Sequence, residues 1–395
     1  MTLPWPALAF AAFAILAPSA VFAESAHISD LIDELQRIQV RIAQGDKAAY
    51  PAQLNQLKTI GAAITTASPE TWKNEREADS LVIYVLSGGS LADVAPLLKG
   101  DAVIESERSL ARGALAYVTN HEVDAIALLG KTNLTALDRR LAGEVAFARS
   151  VLETKRDPKA AVELLDWARL LAPAGLVEEA ALRREIALLA EAKDASRLAM
   201  LTRQYVTRFA ASLYAADFFR DLAGAVARLG LADDPANYRL LSSAVAALPP
   251  DGRREFLLTL AKSGVVSAKF TAAAAAATEA LESSKADSPE AMRARLYLAA
   301  SRLFSDAYDA AIADLKTLSA SELDRADASL LAAARKAAAA LRIAPDLNVF
   351  NTKNAAALPD ANKDKPSGAA LTIAQAQDAL QRTSSFASTQ NGVSP

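Results

Sequence analysis

From Asp157 to Pro173 the chain reads Asp-Pro-Lys-Ala-Ala-Val-Glu-Leu-Leu-Asp-Trp-Ala-Arg-Leu-Leu-Ala-Pro, and its small residues leave few folds open. Ala161 and Ala168 stand seven residues apart on one face of a helix, with Leu164, Leu165 and Leu171 supplying bulk beside them. Pro173 stops the helix. Small residues at this spacing let a neighbouring helix approach closely, as the second helix of a tetratricopeptide-like hairpin requires. The expected fold is all-α: degenerate tetratricopeptide-like helical hairpins stacked as an α-solenoid, a class that holds partners.

Two similar segments support a repeat. Ala125 in Val-Asp-Ala-Ile-Ala-Leu-Leu lies 36 residues before Ala161, near the period of about 34 residues for such hairpins. Tyr308 to Leu315 is a third copy, preceded by a helix from Pro289 to Phe304. Leu165 follows Ala161 by four residues, as Leu315 follows Ala311. Asp194 to Phe209 has the right length and a poorer match.

Composition agrees. Hydrophobic residues make up 52% of the 395 but aromatics only 6%, because alanine and leucine carry the apolar load and favour helices. A single compact core does not suit this length; two domains or an elongated solenoid do. With 43 basic and 46 acidic residues the net charge is −3, and no basic stripe is present, which argues against a nucleic-acid partner. No Cys occurs, so disulfides, a thiolate nucleophile and Cys-ligated metal are excluded.

Ala7 to Ala17 is apolar throughout, too short to span a bilayer comfortably but fitting a signal-peptide core. Val21 and Ala23 suit the cleavage positions that precede Glu24. The absence of Lys or Arg from Met1 to Pro6 dissents, and the alternatives are an uncleaved anchor or a buried first helix. Cleavage after Ala23 gives a periplasmic or secreted chain, with no later stretch apolar enough for stable membrane insertion. The expected organisation is a signal peptide at 1–23, a helical-repeat domain at 24–344, and a disordered linker and tail at 345–395. Asn351 to Gly368 carries few large apolar residues, and Leu371 to Leu380 is a short candidate helix.

Along the repeat domain, His27 to Ala43 reads as an amphipathic helix on Leu31, Leu35, Ile38 and Ile42. A second helix from Ala52 to Ala67 is built on Leu54, Leu57, Ile60 and Ile64. Ser68-Pro69-Glu70 is a helix start, a device that recurs at Asp157-Pro158, Asp234-Pro235 and Ser288-Pro289-Glu290. Six consecutive alanines, Ala272 to Ala277, read as a high-propensity helix, with a close-packing face as the alternative.

Candidate chemistry is sparse. His27 and His121 are the two histidines, and they cannot form a His-based zinc site of the usual spacing. Gly88-Gly89-Ser90 lacks the Lys of a P-loop and follows a helix, so it reads as a helix stop. No catalytic residue, metal site or cofactor is expected. Glu178, Glu179, Arg183 and Arg184 form a densely charged helical segment, read as a solvated or groove-lining face, with a Glu179–Arg183 ion pair at four-residue spacing. Tyr205, Phe209, Tyr214, Phe218 and Phe219 form the densest aromatic cluster. Core packing is its first reading and a peptide groove the second. Glu178, Glu179, Arg183, Arg184, Tyr205 and Phe209 are the candidate protein-binding residues.

The stretches Arg156 to Pro173, Leu176 to Arg184 (Leu-Val-Glu-Glu-Ala-Ala-Leu-Arg-Arg) and Tyr205 to Phe209 (Tyr-Val-Thr-Arg-Phe) together resemble MotC, a periplasmic flagellar-motor protein family of α-proteobacteria. Gln39 to Asp46 and Val82 to Gly89 add to the likeness, which spans Ser29 to Ala344 and leaves the tail unmatched. The resemblance implies a non-enzymatic role in flagellar rotation through the periplasmic domain of the stator protein MotB. The rival reading is a periplasmic enzyme such as a cell-wall hydrolase, against which the shortage of histidine counts, and the alternative is a helical-repeat scaffold or accessory subunit for such an enzyme.

Overall fold

A computed structural model describes residues 27–341, and seventeen α-helices and no strand occur among them. In chain order these are α1 (Ile28–Ala43), α2 (Ala49–Thr66), α3 (Glu75–Leu86), α4 (Leu91–Val94), α5 (Glu105–Val118), α6 (Glu122–Leu129), α7 (Arg139–Glu153), α8 (Pro158–Leu171) and α9 (Leu176–Glu191). There follow α10 (Ala195–Phe209), α11 (Ala215–Arg228), α12 (Pro235–Ala244), α13 (Pro250–Val266), α14 (Phe270–Glu282), α15 (Pro289–Arg302), α16 (Tyr308–Thr317) and α17 (Arg325–Leu341). The expected signal peptide and the tail beyond Leu341, with the candidate helix Leu371 to Leu380, lie outside the described residues.

Successive helices pair as hairpins except α11 and α12, of which α12 packs on α10, and the odd-numbered ones also stack on each other: α1 on α3, α3 on α5 and α7, α7 on α9, α9 on α11, α11 on α13, α13 on α15, α15 on α17. This is the all-α solenoid that the alanine spacing predicts. Ala125, Ala161 and Ala311 are fully buried, and Leu129, Leu165 and Leu315, each four residues later, are buried beside them. Ala168 is equally inaccessible, so α8 meets α7 and α9 through small residues that permit close approach. The six-alanine run is more than a favoured helix. Ala272, Ala273, Ala276 and Ala277 are buried in α14, which packs between α13 and α15. Opposite Ala273, Gly264 leaves so little room that a Cβ there would sit 3.0 Å from its methyl group.

Capping follows the sequence at three of the four expected starts. Asp157 accepts from the backbone N–H groups of Lys159 and Ala160, Asp234 from Ala236 and Asn237, and Ser288 from Ala291. Ser68 makes no such bond. Pro69 opens a short 3₁₀ turn, and Asn74 caps α3 instead, accepting from Arg76 and Glu77. Gly88 takes the left-handed conformation (φ +89°) that ends α3. A second departure is Leu54, expected in the core and 48% exposed. Helix α2 lies at the edge of the stack, against α1 and α4, so its outer residues have nothing to pack on.

Helix α1 does more than begin the stack. It contacts α9 as well as α2 and α3, and its following turn presses Gly45 against the backbone of Ala211. Among the described residues, four tyrosines donate their hydroxyls to carboxylates on neighbouring helices. Tyr84 reaches Asp93 at 2.7 Å, Tyr205 Glu179 at 2.9 Å, Tyr238 Glu279 at 2.8 Å, and Tyr297 Asp327 at 2.8 Å.

Candidate protein-binding region

The six candidate residues fall on one hairpin. Glu178, Glu179, Arg183 and Arg184 are on α9, Tyr205 and Phe209 on α10. The expected solvated face of α9 is corrected by the structure, because Glu178 and Glu179 are buried, as is Glu185 about two turns further on. The physical reason is the position of α9. It is touched by α1, α7, α8, α10 and α11, so even its polar positions turn into protein. Carboxylates so placed need internal donors, and the fold supplies them.

Glu178 pairs with Arg208 at 2.9 Å, accepts from Gln204 at 3.1 Å, and accepts the backbone N–H of Ala174. Glu179 takes the Tyr205 hydroxyl. Burial pushes the Glu179 carboxyl above the ordinary range, against hydrogen bonding from Ser212 and Tyr205. Burial and the adjacent Glu179 push the Tyr205 phenol up in turn. Glu185 receives Arg169 at 2.8 Å and Arg197 at 2.7 Å, and Arg197 also reaches Asp166. The expected Glu179–Arg183 ion pair does not form. Arg183 instead lies over the Tyr214 ring, 4.9 Å from its centroid.

Tyr205 and Phe209 are interior, as the core reading of the aromatic cluster expects. Tyr205 lies 4.0 Å from Phe218 and 5.8 Å from Phe209, ring centre to ring centre, and Phe219 links them to Phe256 on α13. Among the six, Arg183 and Arg184 alone keep an intermediate exposure. The hairpin is therefore a brace: buried carboxylates clamped by arginines and a phenol, with two guanidinium groups at its edge. Sequence reasoning passed over Glu185, Arg169 and Arg197 here, and likewise Asp327, which holds Tyr297 and Lys262 (2.8 Å) at the far end of the stack. Their single signal was a charge inside a run of core-facing helix positions.

A stack of helical hairpins with several carboxylates buried between them defines an α-solenoid. The chain belongs to the family described as chemotaxis protein MotC, whose model matches residues 2–392. That match extends across the tail, which was expected to be unmatched. Chemotaxis protein MotC of Rhizobium meliloti (strain 1021) is 27% identical over 261 residues, covering 65% of this chain and 59% of that relative. No solved structure matches. The chain is thus a motility-related protein, and it spans less than two thirds of the curated relative it matches.

Proposed function

We propose that this protein supports flagellar rotation from the periplasm as a non-enzymatic partner of the periplasmic part of the stator protein MotB. The observation that carries the reading is the family match over residues 2–392. The solenoid agrees with it, since stacked hairpins offer extended surfaces for protein contact. Among the described residues no helix is long and apolar enough to cross a membrane, which suits export after cleavage behind Ala23.

The contact surface is placed on the edge of the α9–α10 hairpin, where Arg183 and Arg184 keep exposed atoms. Glu178, Glu179, Tyr205 and Phe209 support that edge from inside. Of the two arginines, Arg184 gives the cleaner variant, because Arg183 also stacks on Tyr214.

Deleting the gene tests the role: cells should keep their filaments and lose swimming, while bald cells or normal swimming would overturn it. A pull-down of the periplasmic part of MotB with the exported chain tests the partner. Charge reversal at Arg184 should weaken that capture if the surface is correctly placed. Amino-terminal sequencing of the exported protein should begin at Glu24.

A further inference from the structure

Between α1, α7 and the turn joining α8 to α9 the fold leaves an open cavity of about 540 Å³, within the range of small-ligand sites. Close packing creates it. Gly143 on α7 brings the backbone against Ala172, where a Cβ would collide, so the turn after α8 folds over the face of α7. Val40, Leu176 and Val177 supply apolar wall, and Arg37 and Arg139 stand at the rim.

Glu144 lines this cavity and is only 7% exposed. No ion pair or hydrogen bond reaches its carboxylate from the described residues. Arg140, one helical turn earlier, has the spacing of a partner. It is turned away, to Asp33 at 2.5 Å and Asp138 at 2.9 Å. Burial alone pushes Glu144 up, to about 7, with no cation opposing it. Among the described residues the buried carboxylates Glu178, Glu179, Glu185 and Asp327 are all supplied with donors, and Asp79, buried without one, does not line this cavity. An unpartnered one facing a cavity is the exception.

The charges around the cavity select the ligand. Arg37 pairs with Glu34 at 2.9 Å and Arg140 with Asp33 and Asp138, while Arg139 makes no ion pair among the described residues, so a plain cation would have to pass an uncompensated Arg139 to reach Glu144. A plain anion drawn by those guanidinium groups would meet the Glu144 carboxylate inside. A ligand carrying both signs a short distance apart satisfies each end. We propose that the cavity binds a small zwitterion of the α-amino-acid or short-peptide class, its ammonium on Glu144, its carboxylate on Arg139 and Arg37, and its aliphatic part against Val40, Leu176 and Val177. This assignment is independent of the MotB reading.

Calorimetric titration of the full exported chain tests it, with alanine, leucine, lysine, Ala-Ala and Ala-Leu as probes. At least one free zwitterion should bind. Its N-acetylated and C-amidated forms should each bind at least about tenfold more weakly, the scale of one charge-assisted hydrogen bond. Glu144→Gln should remove the preference for a free amine, and Arg139→Ala the preference for a free carboxylate. Absence of heat with all five probes, or equal binding of free and blocked forms, would overturn the proposal. Arg139 is exposed, so its variant reports on the site even if Glu144→Gln perturbs folding.

Discussion

Asp33 and Arg140, 107 residues apart in the chain, meet side chain to side chain at 2.5 Å. The contact ties the first helix of the stack to α7, and Arg76 of α3 joins it at 2.9 Å on the other Asp33 oxygen. Hairpins of a solenoid ordinarily touch only their neighbours. Here α1 departs from that rule, and its reach to α7 and α9 gives the N-terminal half long-range cross-links.

The tightest of these joints is at Gly45, whose φ of +91° and backbone contact with Ala211 both exclude a side chain. Gly45→Ala should lower stability by about 1–3 kcal/mol. Gly88→Ala is the control. It has a similar φ of +89° but open space around it, so its loss should be smaller, about 1 kcal/mol. Equal midpoints for the two variants in chemical denaturation would count against the Ala211 contact.

Ala161 and Ala168 are fully buried between helices. Either alanine replaced by leucine should overpack α8 against its neighbours and cost roughly 1–3 kcal/mol. An unchanged thermal midpoint in both variants would show that the helices can part freely at this joint.

Tyr205 donates to Glu179, a fully buried carboxylate. Tyr205→Phe leaves the carboxylate without that donor and should cost about 1–3 kcal/mol. Glu179→Gln in the same background should recover part of it, because an uncharged amide is cheaper to bury. A double-mutant cycle with no coupling between the two sites is the contrary result.

Asp79 is held up at about 7 by burial first and then by the nearby carboxylates of Glu107, Glu75 and Asp138, against Arg140; Glu144 reaches the same value through burial. Unfolded, both titrate near the ordinary value of about 4. Between these values the folded chain holds protons that the unfolded chain has lost. Their contribution to stability therefore falls as pH rises through that window and is at its least above it. Asp79→Asn and Glu144→Gln should gain on the parent as pH rises towards about 8 and lose the advantage near pH 4. Melting curves across that range decide it, and a constant offset from the parent would refute the assignment.

The helices and their small-residue faces were legible in the sequence because they depend on local pattern. Spacing alone identified Ala161, Ala168 and the caps at Asp157, Asp234 and Ser288. What resisted reading was burial set by distant chain. Glu178 and Glu179 look like surface charge until α1 and α11 close over α9, and Leu54 looks like core until α2 proves to be an edge. Glu144 left a trace, a lone carboxylate in the apolar run Val145-Ala146-Phe147, but the guanidinium turned away from it could not be inferred from spacing.

The tyrosine–carboxylate bonds have a mechanical consequence. Contacts lined by alanine are non-directional and keep most of their attraction when helices slide by a fraction of an ångström, whereas a hydrogen bond weakens steeply once bent or stretched. The bonds Tyr84–Asp93, Tyr205–Glu179, Tyr238–Glu279 and Tyr297–Asp327 thus act as rivets between otherwise slippery plates. Pulled along its length, the molecule should behave as a few stiff blocks joined by compliant seams, with α5 and α6, which neither these rivets nor the ion pairs of α7 and α8 reach, the first to give.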